Sequence, residues 1–423
     1  MTTLARPRLG RYLSVFGPGL VVMLADTDVG SIITAGQSGV QWGYRLLLLQ
    51  FVLVPILFMT QELTVRLAIF TGRGHGELIL ETFGRFWAYV SVAGLVVATM
   101  GALVTELAGV AGVGELYGVP RALSLLLAVA ALLGVVLTGS YRRVERIAIA
   151  LGLFELAFFG VAYLAHPSVD EVLRGVVDIP YGNRDYVYLA AANIGAVIMP
   201  WMVFYQQSAV ADKGLRPEHY KAARWDTAVG ALLTQMIMAA VLVATAATIG
   251  QAGGQAGGQA GGQAGLGATL SSVGELSAAL TPFLGDGVGK AVFSAGVLGA
   301  GMVAAIVATL ALAWGVGEVA GYRRSLNLRP AQATWFYGVY GGCVVGCAVL
   351  VLVWPDLVAL NIGVQIMNAL LLPLVLGFLV ALAVRALPAA HRLQGWYFWV
   401  VVVTVGITTV FGVFGGFQGL LGA

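Results

Sequence analysis

Apolar runs long enough to cross a membrane recur along almost the whole chain. Crossing a bilayer takes about 20 apolar residues in a helix. Such windows fall near 13 to 40, 44 to 71, 86 to 117, 120 to 140, 145 to 166, 186 to 209, 225 to 250, 287 to 320, 332 to 354, 357 to 384 and 396 to 417. They predict eleven transmembrane helices and an all-α polytopic membrane protein. Of 423 residues, 59% are hydrophobic and only 10% charged, against about 25% charged in globular domains, and the mean hydropathy is +0.90. With charge so sparse, the net +3 carries no argument for nucleic acid, and no nucleic-acid partner is expected. Cys343 and Cys347 stand four apart in one apolar run with no other ligand type beside them, which suits packing better than a metal site. No small-residue cleavage pattern follows the first apolar segment, so that segment is expected to start insertion itself.

The few charges report topology instead. With the N-terminus in the cytoplasm, eighteen Lys and Arg fall on the inner side and five on the outer side, as the positive-inside rule requires. The expectation is a protein of the cell inner (plasma) membrane, N-terminus cytoplasmic and C-terminus extracytoplasmic. Two outer loops stand apart. Residues 167–185, "PSVDEVLRGVVDIPYGNRD", form an acidic loop that solvation alone explains, though it also suits gathering cations at an entrance. Residues 251–265, "QAGGQAGGQAGGQAG", have no side chain able to hold a core and read as a flexible tether. Most of the 58 glycines need no explanation beyond close helix approach.

Two spans are interrupted. The first reads "GPGLVVMLA", "DTDVGS", "IITAGQSGV", two apolar halves around a polar break. The sixth carries Pro200 in mid-run, and proline removes a backbone hydrogen bond and clashes with the preceding turn. Non-helical backbone at membrane depth persists only where it lines a cavity or is buried in protein. Breaks in spans one and six of eleven fit two five-helix halves in inverted topology, about 13–166 and 186–384, with an extra helix at about 396–417 and the binding site at the breaks.

Each break offers ligands. A charge at this depth costs at least about 2.5 kcal/mol, and Asp26 and Asp28 both incur it. Asp28 presents a carboxylate, Ser31 a hydroxyl, Met199 a thioether, and unwinding frees the carbonyls of Ala25 and Ala196. Oxygen with one soft sulfur suits Mn or Fe; oxygen with retained water suits Mg. Asp28 also fits the N-cap of the second half-helix, but an uncharged Ser or Asn would cap it at lower cost. Met199 also fits ordinary packing. Asp26, two residues away, reads as an acid that binds water. Among the other buried charges, Glu62 and Arg66 are expected to pair. Glu106, Glu155 and Glu318 face the interior, with Glu106 alone taken as a path residue. Asn193 and Gln207 read as hydrogen-bond glue between helices.

At these residues the chain resembles the Nramp family of divalent-metal transporters over nearly its whole length. The family's first-helix Asp-Pro-Gly-Asn corresponds to "DVGS", Asp28 to Ser31, and its sixth-helix Met-Pro-His-Asn to "MPWM", Met199 to Met202. "QIMNALLLP" matches the segment holding a metal-contacting glutamine, here Gln365; "FGPGLVVMLA", "QELTVRLAIFTG" and "YRRVERI" follow in the family's order. The resemblance implies a LeuT-like fold, alternating access, no cofactor, no obligate protein partner, and a metal held by Asp28, Ser31, Met199, Gln365 and the carbonyls of Ala25 and Ala196. Three departures bear on mechanism. Asn is replaced by Ser31, the sixth-helix His by Trp201, and Asp-Leu-Ala-Glu by "ELAG", which keeps Glu106 but puts Gly109 where the second acid stands. Two groups that titrate are thereby absent from a proton path. These changes resemble the family's prokaryotic magnesium-transporting branch, which implies import of partly hydrated Mg2+, with Mn2+ admitted, without proton coupling. The alternative is a proton-coupled Mn2+ or Fe2+ importer. An organic-substrate transporter of the same fold is disfavoured because Asp28 would repel a carboxylate. An intramembrane aspartyl protease needs acids on facing helices, and Asp26 and Asp28 share one, so no enzyme is expected. A channel would show flux that does not saturate.

Overall fold

The computed structural model describes residues 15, 17–255, 273–280, 284–353 and 358–422. Among them every regular element is helical. In chain order the α-helices are α1 (Pro18–Asp26), α2 (Val29–Trp42), α3 (Leu47–Thr71), α4 (His75–Phe83), α5 (Arg85–Leu116), α6 (Arg121–Val136), α7 (Tyr141–Gly152), α8 (Ala157–Leu164), α9 (Val169–Val177), α10 (Arg184–Val197), α11 (Pro200–Asp212), α12 (Tyr220–Gln255), α13 (Val273–Leu280), α14 (Asp286–Ala320), α15 (Thr334–Val353), α16 (Val358–Arg385) and α17 (Gly395–Gly422).

Nine helical stretches among the described residues are long and apolar enough to cross a membrane. Eleven were expected, and the difference has a geometric source. Val29–Thr71 counts as one stretch of 43 residues, yet at 1.5 Å per residue it measures about 64 Å, roughly twice the hydrocarbon thickness. It therefore holds the second half of the first expected span, α2, and the whole of the second, α3. Arg121–Val136 is about 24 Å long by the same rise and falls short. Large apolar side chains such as Leu126, Phe154, Trp399 and Ile407 are exposed on the helix exteriors, where lipid replaces water as the solvent.

The broken first span sits at the centre. Helix α12 packs along α1, α2 and α3; α14 lies against α1, α5 and α11; α10 lies against α2, α16 and α17. The start of α1 is held by Asp226 of α12, whose carboxylate accepts from the backbone N–H of Gly17 (3.1 Å), Gly19 (2.8 Å) and Leu20 (3.2 Å). These are N–H groups left unsatisfied at a helix start, and a carboxylate is favoured at that end of the helix dipole.

Several local expectations change. The 167–185 segment is not all loop: α9 forms within it, with Asp170 and Glu171 in its first turn, and Asp178 just beyond pairs with Arg45 at 2.6 Å. The sequence from 251 continues α12 through Gln255, since extending a helix already formed avoids the cost of nucleation. Positions 256–265 of the expected tether lie outside the described residues, as do Arg6, Arg8 and Arg11. Glu62 and Arg66 do pair, at 2.8 Å, and Tyr220 also donates to Glu62. Asn193 joins three helices, accepting from Gln50 of α3 (2.8 Å) and donating to Ser38 of α2 (2.8 Å). Gln207 links α11 to the α3–α4 junction through His75 and the Arg73 carbonyl. Glu318 accepts from Ser208 (2.5 Å) and from the Gly76 N–H (2.8 Å), so its charge is spent on tying helices together. Both cysteines are free thiols.

Candidate functional site

Both predicted interruptions are present. Helix α1 stops at Asp26 and α2 starts at Val29; α10 stops at Val197 and α11 starts at Pro200. In the first break, the Val29 N–H that an unbroken helix would give to the Ala25 carbonyl goes instead to Glu106 Oε2 of α5 at 3.0 Å. In the second, Pro200 has no N–H to offer Ala196, and the Ser31 hydroxyl donates to that carbonyl at 2.9 Å. The two breaks are therefore joined directly, by two residues separately singled out as ligand donors.

Asp28 divides its two oxygens. It is the N-cap of α2, with Oδ1 accepting from the Ser31 N–H at 2.6 Å, so the capping role is real. Its Oδ2 has no hydrogen-bond partner although the residue is only 1% exposed. Its carboxylate and that of Glu106 lie within hydrogen-bonding reach of one another, and Glu106 Oε1 is likewise without a partner. Two facing carboxylates repel unless a proton or a cation comes between them.

Gln365 is brought to the same place by two close approaches. A Cβ added to Gly30 would stand 2.6 Å from Asn361 Oδ1 and would collide with Gln365 Nε2. A Cβ added to Gly195 would strike the Gln365 backbone carbonyl and come within 2.9 Å of the Ala369 nitrogen. At Gly195 the obstacle is backbone and only hydrogen fits, while at Gly30 a methyl group would displace the ends of the Gln365 and Asn361 side chains, so α16 seats directly on the start of α2 and the end of α10. Gln365 accepts from Asn368 (3.1 Å), and Asn361 donates to the Gly30 carbonyl (3.1 Å). Asn361 and Asn368 were missed in the sequence. Their spacing of four and three about Gln365 is a polar stripe on an apolar helix, and that was the available signal.

Met199 is fully buried at the N-cap of α11. Trp201, the second residue of the same helix, is also fully buried among apolar side chains, with its indole N–H unpartnered. Asp26, at the end of α1, is 1% exposed and both of its oxygens lack a partner. Among the described residues no three of His, Cys, Asp and Glu converge as a ready-made metal cage. The donors at the breaks are instead of mixed type: carboxylate, hydroxyl, carbonyl, amide and thioether.

Comparison with known proteins agrees with this architecture. The family model Nramp, "Natural resistance-associated macrophage protein-like", matches residues 19–417. The chain is 28% identical over 313 residues to the divalent metal cation transporter MntH of Brucella suis, covering 71% of this chain and 66% of that protein. It is 28% identical over 328 residues to MntH of Yersinia enterocolitica, covering 72% and 73%. The alignments thus span about two thirds to three quarters of these curated relatives. A manganese transporter of Eremococcus coleocola superposes with a TM-score of 0.74 at 18% identity, covering 100% of this chain and 90% of that one. A Na+-coupled sialic acid symporter superposes with a TM-score of 0.61 at 12% identity, covering 94% and 88%. The fold is therefore the LeuT-like transporter fold with broken first and sixth spans, and the chain belongs to the Nramp family.

Proposed function

We propose that this protein is a secondary transporter, not an enzyme, that imports divalent metal cations by alternating access. It favours Mg2+, admits Mn2+ and moves them without proton coupling. The observation that carries the reading is the direct joining of the two helix breaks: Ser31 on the Ala196 carbonyl, with Gln365 against Gly30 and Gly195. Asp28 Oδ2 is the anionic anchor. Ser31, Gln365, Met199 and the carbonyls of Ala25 and Ala196 surround the ion, while Asp26 and Glu106 accept hydrogen bonds from its waters. The inner membrane, with the N-terminus cytoplasmic and the C-terminus outside, is the setting that the loop charges support, and two five-helix repeats with an extra helix at about 396–417 are the architecture.

Two features support a hydrated ion. Mg2+ keeps several waters and takes few protein oxygens. Ser31 spends its hydroxyl proton on Ala196, and unpartnered carboxylate oxygens around the break suit water donors. Two features support the absence of proton coupling. Trp201 has no group that titrates near neutrality, and the space a side chain at Gly109 would need is filled by Val29, whose Cγ2 lies 2.8 Å from an added Cβ. The second reading, a proton-coupled manganese or iron importer, is favoured by Met199 and by the names of the relatives; a thioether on the ion selects softer metals.

Uptake into proteoliposomes with a pH-sensitive dye inside decides between them. Saturable Mg2+ entry without acidification is expected. Mn2+ entry with acidification and no Mg2+ entry would establish the second reading. Asp28→Ala is expected to lower uptake by more than the roughly 10- to 100-fold typical of outer-shell residues; saturable uptake left intact in that variant would sink both.

A further inference from the structure

Helix α16 brings a second amide to the first break, one turn from Gln365. Asn361 stands four residues before it, about 6 Å along the helix, and is fully buried. The point where a Gly30 Cβ would stand marks the meeting of the two elements. It is 2.6 Å from Asn361 Oδ1 and 3.2 Å from Asp28 Oδ1. The two oxygens can therefore be no farther apart than those distances laid end to end.

The surroundings dictate which way the Asn361 amide faces. Its Nδ2 donates to the Gly30 carbonyl at 3.1 Å, which also accepts from the Thr34 hydroxyl at 2.8 Å. Turned over, the amide would set its own oxygen against that carbonyl, acceptor on acceptor. Oδ1 is thus held away from the carbonyl, and no protein donor reaches it; the Gln365 amide nitrogen lies against the same Gly30 point without bonding to it. A buried acceptor without a donor is costly. A buried carboxylate can be relieved by taking up a proton, but an amide oxygen is satisfied only by a donor or a cation.

We propose that Asn361 sets the selectivity of the ion site: its Oδ1 accepts a hydrogen bond from a water that a divalent ion on Asp28 keeps. The inference rests on the transport reading above. Asp28 Oδ1, the oxygen nearer the Gly30 point, is spent on the Ser31 N–H, and the free Oδ2 lies farther from that point. An ion on Oδ2 is therefore one water removed from α16. A metal–oxygen bond of about 2.1 Å followed by a hydrogen bond of about 2.8 Å fills such a gap. Mg2+ dehydrates reluctantly and needs an acceptor for the waters it carries into the protein. Mn2+ depends on that acceptor less, because it can give up a water for the Met199 thioether.

Free Mn2+, read by electron paramagnetic resonance over the purified full-length protein, gives the Mn2+ affinity. Its displacement by added Mg2+ gives the Mg2+ affinity in the same sample. Asn361→Leu, close in volume and without polar atoms, is expected to weaken Mg2+ at least about tenfold, as loss of an outer-shell partner does, and Mn2+ by less. Asn361→Asp keeps an oxygen toward the ion whether charged or protonated, and is expected to hold Mg2+ at least as tightly as the wild type. A purely structural role would move both metals equally in Asn361→Leu, and that result overturns the proposal. So does a loss of Mg2+ affinity in Asn361→Asp, a test that stands even where Asn361→Leu does not fold. Mn2+ bound to Asp28→Ala as tightly as to the wild type fails the transport reading itself, and this inference with it.

Discussion

Asp28 does two things at once because a carboxylate has two oxygens and a helix start needs only one. Oδ1 satisfies the Ser31 N–H, and Oδ2 faces the break unpartnered. A Ser or Asn cap would have spared the cost of a buried charge, so the charge itself is what the site retains. Gly30, two residues on, is constrained from the opposite direction. Gly30→Ala places a methyl group against Asn361 and Gln365 and is expected to cost about 1–3 kcal/mol through overpacking, with weakened metal binding as Gln365 is pushed aside; thermal melting and dialysis read the two effects. His75 gives a pH signature outside the spans. It is fully buried, with Nδ1 on Gln207 at 2.9 Å, and burial lowers its pKa to about 4. The unfolded chain takes up the proton near pH 6.5 and the folded one only near 4, so stability present above 6.5 is lost as pH falls through that window. The loss reaches about 3 kcal/mol at pH 4. His75→Gln is expected to flatten that part of the pH–stability curve, measured by melting between pH 7 and 4.

A helix is broken in each half-pair by what its neighbours supply as much as by its own residues. In α1–α2 the diverted donor is Val29, taken by Glu106 of another helix; in α10–α11 the donor is missing because residue 200 is proline. Pro200→Ala restores an N–H to the Ala196 carbonyl, which then competes with the Ser31 hydroxyl for it. The variant is expected to remain folded, since Pro200 stands at the first position of α11, where proline is well tolerated and alanine is a good helix former, yet to transport poorly because the break closes. Circular dichroism melting alongside Mg2+ uptake tests both halves of that expectation. Whether an element breaks was legible in the polar "DTDVGS" and in Pro200. The helix α9 inside the acidic outer loop was also carried by the sequence, in the i, i+3, i+4, i+7, i+8 spacing of Val169, Val172, Leu173, Val176 and Val177, a signal outweighed by the acids around it.

For the whole molecule, the proposed ion would give a partner to buried oxygens that the chain leaves without one. Unpartnered buried oxygens destabilise the empty protein, and a ligand that binds only the folded state adds about 2.7 kcal/mol at a hundredfold excess over its dissociation constant. Adding Mg2+ or Mn2+ to purified protein is expected to raise the melting temperature and chelation to reverse the shift, with Asp28→Ala losing most of the response. No shift with either metal would contradict a cation site at the breaks.

The membrane class, the order of the spans and the two interruptions belong to the sequence alone, because apolar run length, proline and charge sparsity act locally and need no partner. The candidate donors Asp28, Ser31 and Met199 were legible for the same reason, in the residues at the breaks, whereas Gln365 came only through the resemblance to the Nramp family. Tertiary structure alone decided which of them meet. The Ser31–Ala196 bond joins residues 165 apart in the chain and the Asn361–Gly30 bond residues 331 apart, and the polar stripe that marks Asn361 does not say which helix it meets. Distances of that kind are fixed by how helices pack, and packing is a property of pairs of surfaces that no single stretch of sequence contains.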